Sequence, residues 1–260
     1  MTAIALQHPA SRPLASKIVA VASGKGGVGK TWLSVSLAHA LARENRRVLL
    51  LDADLGLANV DVQLGIAPTH DLGEALAGKV ALNQAVTPHR AGFDVLAGRS
   101  GSGALAALPA AKLSELRDRL CMLSSRYDMA IMDLGAGIEP PVRVLSEGAR
   151  MCLVVTTDEP TALTDAYAFI KVTAQSQPDA DFRVVVNMAA SREAGERTYA
   201  TLSAACTNFL GFTPPLAGVI RRDSKVPDTI RAQTPLMVRH PLCDAAADVE
   251  ALARGLTATG

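Results

Sequence analysis

Aromatic side chains are scarce. Trp 1, Tyr 3 and Phe 5 make up 3% of the 260 residues, which disfavours a platform for stacking single-stranded bases. An excess of one charge is missing too: Lys+Arg 26 against Asp+Glu 25 leaves a formal net charge of +1. The chain as a whole therefore carries no field that would gather nucleic acid or anionic lipid, although a local basic patch stays open. The four cysteines, Cys121, Cys152, Cys206 and Cys243, have no CxxC spacing. That excludes paired-cysteine zinc sites and dithiol redox motifs, and they read as small buried apolar residues in a reducing cytosol. His8, His39, His70, His89 and His240 form no HxxxH or HExxH pair, so a histidine-held metal is not expected. No run of 18 apolar residues occurs, so no spanning helix is expected. The opening MTAIALQHPASRPLASK lacks a basic start followed by an apolar core. It reads as a loose leader over residues 1–16 and not as a secretory signal.

What is present is an ordinary globular composition, 49% hydrophobic and 20% charged, with enough chain for a sizeable core. Apolar runs of strand length lie at 18–22, 47–51, 93–96, 129–132, 151–156, 182–187 and 216–220. Several are continuous, as strands buried on both faces should be. Helical patterns lie between them at 30–43, 110–126, 161–176 and 193–210. In the first, Leu33, Leu37, Ala40 and Leu41 recur on one helical face. Strand–helix alternation predicts an α/β fold: a mostly parallel central sheet with helices on both faces, in three layers. A single domain over 17–256, a short tail at 257–260 and a Gly/Ser/Ala-rich surface loop at 97–107 complete the expected organisation. No repeat is visible.

The strongest chemical signal is IVAVASGKGGVGKT at 18–31. It contains G-x-x-x-x-G-K-T as Gly24, Gly29, Lys30 and Thr31, after a strand run and before a helix, which is the context a phosphate-binding loop requires. Glycines let successive peptide N–H groups of Gly24, Lys25, Gly26, Gly27, Val28 and Gly29 turn inward on phosphate oxygens. The start of the following helix adds partial positive charge. Lys30 can reach the β- and γ-phosphates, the Thr31 hydroxyl can ligate Mg²⁺, and the Trp32 backbone N–H adds a donor. VLLLDADLGLAN (48–59) ends an apolar strand in Asp52 and Asp54, which project to one side of an extended segment. Beside a phosphate loop such a pair suits a hydrated Mg²⁺ and an attacking water. YDMAIMDLGAGI (127–138) ends a third apolar strand in Asp133, a carboxylate placed for Mg²⁺-bound water. Gly135 and Gly137 supply hinge freedom behind it.

The extra lysine of KGGVGKT, Lys25, resembles the deviant Walker A motif of the MinD/ParA superfamily of P-loop ATPases. The resemblance implies an ATP-dependent homodimer in which Lys25 reaches across to the partner's nucleotide. It also implies that Asp54 orients the attacking water, Asp52 holds Mg²⁺ through water, and Asp133 is the Walker B acid. LLLDADLGLANVDVQLGI, MDLGAGI, TTDEPTALTDAYAFIKV and VVVNMA look like the flagellar-number regulators of the FlhG/FleN branch, over about 17–256. Read from its residues alone, 157–171 is only a loop, a proline and a capped helix; flagella enter through the resemblance. That resemblance implies that Asn187, with a donor and an acceptor on its side chain, borders the adenine, and that the loop 218–226 closes the other side. The latter reads equally as a polar surface loop. The implied partners are a flagellar GTPase of the signal-recognition type and a flagellar enhancer-binding activator. The implied setting is cytoplasmic, with recruitment to the cell pole or the inner membrane face.

The chain departs from the family pattern at several places. Trp32 follows GKT where a small polar residue is usual, Leu134 stands where Ser or Thr is usual, and Arg221 replaces a usual proline. Slow turnover or an altered pocket follows from these changes. No Gln/Leu motif of the kind that stimulates a partner GTPase precedes Ser23. At the C-terminus Leu242, Val249, Leu252 and Leu256 read as one helical face, with Asp244, Asp248 and Glu250 against Arg254. That predicts a core-docking helix and not a lipid anchor. Two other functions compete with the ATPase switch. A DNA-partitioning ATPase needs a basic surface, for which only Arg221, Arg222, Lys225 and Arg231 offer a cluster. A nucleotide-gated scaffold with negligible hydrolysis is motivated by Trp32 and Leu134. An iron–sulfur carrier is excluded by the cysteine spacing.

Overall fold

The computed structural model describes residues 16–98 and 107–258. Most of the expected leader, most of the 97–107 loop and the end of the tail lie outside the described residues. Eight strands form one sheet: β1 (Ile18–Ser23), β2 (Val48–Ala53), β3 (Val86–His89), β4 (Phe93–Leu96), β5 (Met129–Ala136), β6 (Met151–Thr156), β7 (Phe182–Ala189) and β8 (Leu216–Arg221). Their order is β3-β4-β2-β5-β1-β6-β7-β8. Every pairing is parallel except that of β3 with β4. This is the α/β architecture of a P-loop NTPase.

The two-residue period of the strands divides the core into two layers. Val19, Val21, Leu50 and Ile131 face the helices α1 (Lys30–Arg43) and α10 (Asp244–Ala258). Ile18, Ala20, Leu49, Leu51, Ala130 and Met132 face α4 (Ala110–Ser124), α6 (Pro160–Ser176) and α7 (Arg192–Leu210), joining Leu116, Phe169 and Leu202. Burial on both sides accounts for the unbroken apolar runs of the central strands. Short helices fill the connections: α2 (Val60–Leu64), α3 (Leu72–Leu76), α5 (Pro140–Ser146), α8 (Lys225–Arg231) and α9 (Leu236–Arg239).

Each strand expected from the sequence is present. Several run further at their carboxyl ends, β2 to Ala53, β5 to Ala136 and β7 to Ala189. Polar residues there resemble loop signals, yet the parallel ladder continues beneath them and carries them to one edge of the sheet. The short edge strand β3 was not expected. It is four residues long and contains Pro88, which an edge strand tolerates because one row of its amides has no ladder partner.

The C-terminal helix corrects one expectation. Leu242 precedes α10 and is 97% exposed, so it does not share the buried face of Val249, Leu252 and Leu256. Asp248, read from the sequence with Asp244 and Glu250 as set against Arg254, is buried. Its Oδ2 accepts from the Arg221 backbone N–H at 3.0 Å and from Arg221 Nε at 2.8 Å. Its Oδ1 accepts from Arg221 Nη2 at 3.0 Å and Arg192 Nη2 at 3.1 Å. One carboxylate thus ties the end of β8 and the start of α7 to the C-terminal helix. Removing it would take four hydrogen bonds from the junction and leave the Arg221 backbone N–H without its acceptor, so Asp248→Ala should lower unfolding free energy by roughly 2–3 kcal/mol in urea. A change below about 0.5 kcal/mol, the range of ordinary surface substitutions, would contradict this.

Candidate functional site

The carboxyl ends of β1, β2, β5 and β7 converge around the loop 24–31. The loop is shaped by what its glycines exclude. A Cβ on Gly24 would lie 2.0 Å from the Asp165 carbonyl oxygen of α6, and a Cβ on Gly29 would lie 2.4 Å from Asn187 Nδ2. Gly29 also sits at φ 90, in the left-handed region that glycine enters freely. It caps α1 with no side-chain hydrogen bond, and no acidic residue occupies the first turn. The opening N–H groups of a 14-residue helix are therefore left for a ligand. Ser23 Oγ donates to the Lys25 carbonyl at 2.6 Å, and the Gly137 N–H donates to the Ser23 carbonyl at 2.9 Å. The loop's start is thereby joined to the segment after β5.

Charges gather behind this loop. Lys30 is 8% exposed. Burial pushes its pKa down, while Asp133 and Asp54 oppose that. The register pairs Asp52 with Asp133 across β2 and β5. Asp133 accepts from Ser34 Oγ at 2.9 Å and also takes a hydrogen bond from Thr31. Burial still raises its pKa to about 6, against those bonds and Lys30. Burial, then the neighbouring Asp133, raises Asp52 to about 7. Asp52 is turned toward the loop after β2: Oδ2 accepts from the Asn59 and Val60 N–H groups at 3.0 Å each, and Oδ1 from Asp54 N–H at 3.3 Å. Asp54 Oδ1 accepts from the Gly56 and Leu57 N–H groups, and its carboxylate lies against Gly135. Asp52 therefore braces the segment that presents Asp54.

Residues 19–236 match the CobQ/CobB/MinD/ParA nucleotide binding domain family. The chain belongs to that family. It is 37% identical over 238 residues to the antiactivator FleN of Pseudomonas aeruginosa, covering 92% of this chain and 85% of FleN. It is 35% identical to the flagellum site-determining protein YlxH of Helicobacter pylori, covering 72% of this chain and 63% of YlxH. Among solved structures, the cell division ATPase MinD of Pyrococcus furiosus aligns with a TM-score of 0.79 at 24% identity, covering 94% of this chain and 100% of that one. The MinD/ParA family is one of nucleotide-binding ATPases.

In this MinD/ParA-family chain, Lys25 turns away from the loop's interior. Its Nζ donates to Glu159 Oε2 at 2.5 Å and Thr161 Oγ1 at 2.8 Å, at the start of α6. With side chains 35% and 62% exposed, such an ion pair contributes at most about 1 kcal/mol and is readily exchanged. Asn187 is buried; Nδ2 donates to the Val28 carbonyl at 2.8 Å and Oδ1 accepts from the Met188 N–H. It holds the phosphate loop from below. Trp32 is buried with its indole N–H unpartnered among the described residues. Leu134 lies in the core beside Ala53. Sequence reasoning did not name Ser34 or Glu159. Ser34 lies one helical turn from Lys30 and was legible by spacing; Glu159 reaches Lys25 only through the fold.

Asp133 and Asp52 titrate above their ordinary 3.8, so the folded chain keeps protons that the unfolded chain releases. Their raised pKa values favour folding below about pH 4, and this contribution is lost as pH rises through 6 to 7. Asp133→Asn should remove part of this slope. In denaturant titrations of ligand-free protein, the variant's stability relative to the parent should rise between pH 4 and 7; a fall would contradict the assignment.

Proposed function

We propose that this chain is a MinD-like ATPase, an ATP-dependent dimerising switch that regulates flagellar number or placement through protein partners. The observation that carries the reading is the uncapped start of α1 set against Lys30 and the carboxylates of Asp54 and Asp133. A polyphosphate would supply the acceptors that this helix start lacks. The backbone of Gly24, Lys25, Gly26, Gly27, Val28, Gly29 and Trp32 would cradle the phosphates, with Asn187 fixing the loop and bordering the base. Two buried carboxylates that repel each other across β2 and β5 suit a divalent cation. Thr31 and Asp133 would hold Mg²⁺, with Asp52 acting through water. Mg²⁺ would neutralise charge that develops on the phosphate oxygens. Asp54 would orient the attacking water, and Lys30 would stabilise the phosphoryl group in transfer.

Lys25 would exchange Glu159 for the partner's nucleotide when two copies close, which makes the dimer depend on the γ-phosphate. The flagellar part rests on the name of the similar YlxH, a flagellum site-determining protein, and the activator partner on that of the antiactivator FleN. A signal-recognition-type GTPase and an enhancer-binding activator are the proposed partners. The proposed setting is the cytoplasm, with recruitment to the cell pole or inner membrane face. Among the described residues no helix is long and apolar enough to cross a membrane. A scaffold with negligible hydrolysis is the second reading, favoured by the buried Trp32 and Leu134. DNA partitioning loses support because Arg221 is spent on Asp248 and Asp244.

Sizing with ATP·Mg²⁺, with ADP and without nucleotide tests the switch. The expected result is a dimer with ATP alone, retained in Asp54→Ala while its phosphate release falls by a factor of 100 or more, roughly 3 kcal/mol in the barrier. A monomer in all three conditions would remove the trans role of Lys25. Unchanged turnover in Asp54→Ala would remove the role given to that carboxylate.

A further inference from the structure

The phosphate loop occupies the carboxyl edge of the sheet. At the opposite edge, where β6 and β7 begin and α6 ends, lies a polar cavity of about 70 Å³. One water needs roughly 10–15 Å³, so the space admits a group of about four or five heavy atoms. β1, β6 and β7 run parallel, which puts the length of the strands between this cavity and the 24–31 loop. A ligand held here is therefore not the nucleotide.

Acceptors in the cavity wall are taken, while donors are left over. The Thr173 carbonyl accepts from the Gln177 N–H at 2.8 Å and from Ser176 Oγ at 3.0 Å, and the Gln177 carbonyl accepts from the Ala180 N–H at 3.1 Å. Both carboxylate oxygens of Asp181 accept from Arg183, at 3.1, 3.2 and 2.9 Å. Thr173, by contrast, is 1% exposed, and neither its Oγ1 nor Gln177 Nε2 has a hydrogen-bond partner among the described residues. Thr164 of the same helix bonds back to the Pro160 carbonyl at 3.0 Å; Thr173 makes no such bond. The two orphaned groups stand one helical turn apart, on neighbouring positions of one face. Arg150 also lines the cavity. Its Nη2 donates to the Leu256 carbonyl at 3.3 Å, and no carboxylate pairs with it among the described residues. Burial, then the nearby Arg183, push its pKa down, and Asp181 opposes them. Asp179 lines the cavity as well, but it is exposed and its charge is screened by solvent. Buried donors without acceptors are costly, and three converge here.

We propose that this cavity is a second ligand site, one that binds a small oxyanion whose oxygens accept from Thr173 Oγ1, Gln177 Nε2 and the Arg150 guanidinium. A guanidinium is a planar fork of N–H donors suited to carboxylate and phosphate alike, so the class spans a short carboxylate and inorganic phosphate. The site stands independently of the nucleotide reading, because it shares no residue with the phosphate loop.

Calorimetric titration of the full chain with acetate and, separately, with inorganic phosphate tests the proposal in the parent, Thr173→Val, Gln177→Met and Lys30→Ala. Saturable binding of at least one anion is expected, and it should persist in Lys30→Ala, where the phosphate loop is impaired. Thr173→Val and Gln177→Met should each weaken it about tenfold, the lower end for a hydrogen bond to a charged group. Acetate binding marks a carboxylate site, and phosphate binding alone marks a tetrahedral one. Ligand-free Thr173→Val should unfold at a temperature no lower than the parent, since it removes a buried hydroxyl that has no partner. Should that variant fail to fold, Gln177→Met reads the same contact. No saturable heat with either anion leaves a cavity filled by water and overturns the proposal. Binding that is lost in Lys30→Ala, or that is unchanged in both Thr173→Val and Gln177→Met, places the anion elsewhere and overturns it too.

Discussion

The peptide N–H groups that open α1 have no side-chain cap, and the helix is packed so that they cannot be covered by moving it. Val21, Leu33, Leu37 and Leu41 bury α1 against the sheet, while Asn187 and Asp165 press on the loop before it. A buried lysine, Lys30, stands at the same place. Positive potential is thus concentrated at the carboxyl edge of a parallel sheet, where the strand ends also deliver their polar residues. The rest of the site answers that concentration: Asp133 and Asp54 balance Lys30, and the amides that open α1 are left for an anion.

The carboxylates show how the fold keeps this arrangement poised. Asp52 and Asp133 face each other across adjacent strands, and burial raises both pKa values. Left to themselves they are costly, since a buried charge is stable only when paired or hydrogen-bonded. Asp52 is relieved by three backbone N–H groups of the loop that follows β2. Asp133 is relieved by the hydroxyls of Ser34 and Thr31. Those same contacts determine where Asp54 stands, so the segment that would orient water is positioned by the electrostatics behind it. Lys25, by contrast, is held only by an exposed pair at the start of α6. The interior of the site is fixed, and its outward-facing lysine is free to change partners at small cost.

Much of this was legible in the residues. The two-sided burial of the strands appears as unbroken apolar runs, and the phosphate loop appears as a glycine pattern between a strand and a helix. What was not legible depends on contacts distant in sequence. Arg221 and Asp248 are 27 residues apart and read as surface charges because no local pattern announces a buried ion pair. Leu242 was assigned to a helical face because periodicity alone does not mark the start of α10. The strand β3 was hidden by Pro88 and by its shortness. That Asn187 also holds the Val28 carbonyl emerges only when β7 is laid beside the loop.

The central claim is that the backbone around 24–31 and Lys30 hold a nucleoside triphosphate. Isothermal calorimetry with purified chain, ATP and Mg²⁺ measures it most directly. The account predicts saturable binding of one nucleotide per chain, abolished in Lys30→Ala. Absence of a binding heat across temperatures and magnesium concentrations, together with no nucleotide retained on equilibrium dialysis, would contradict it.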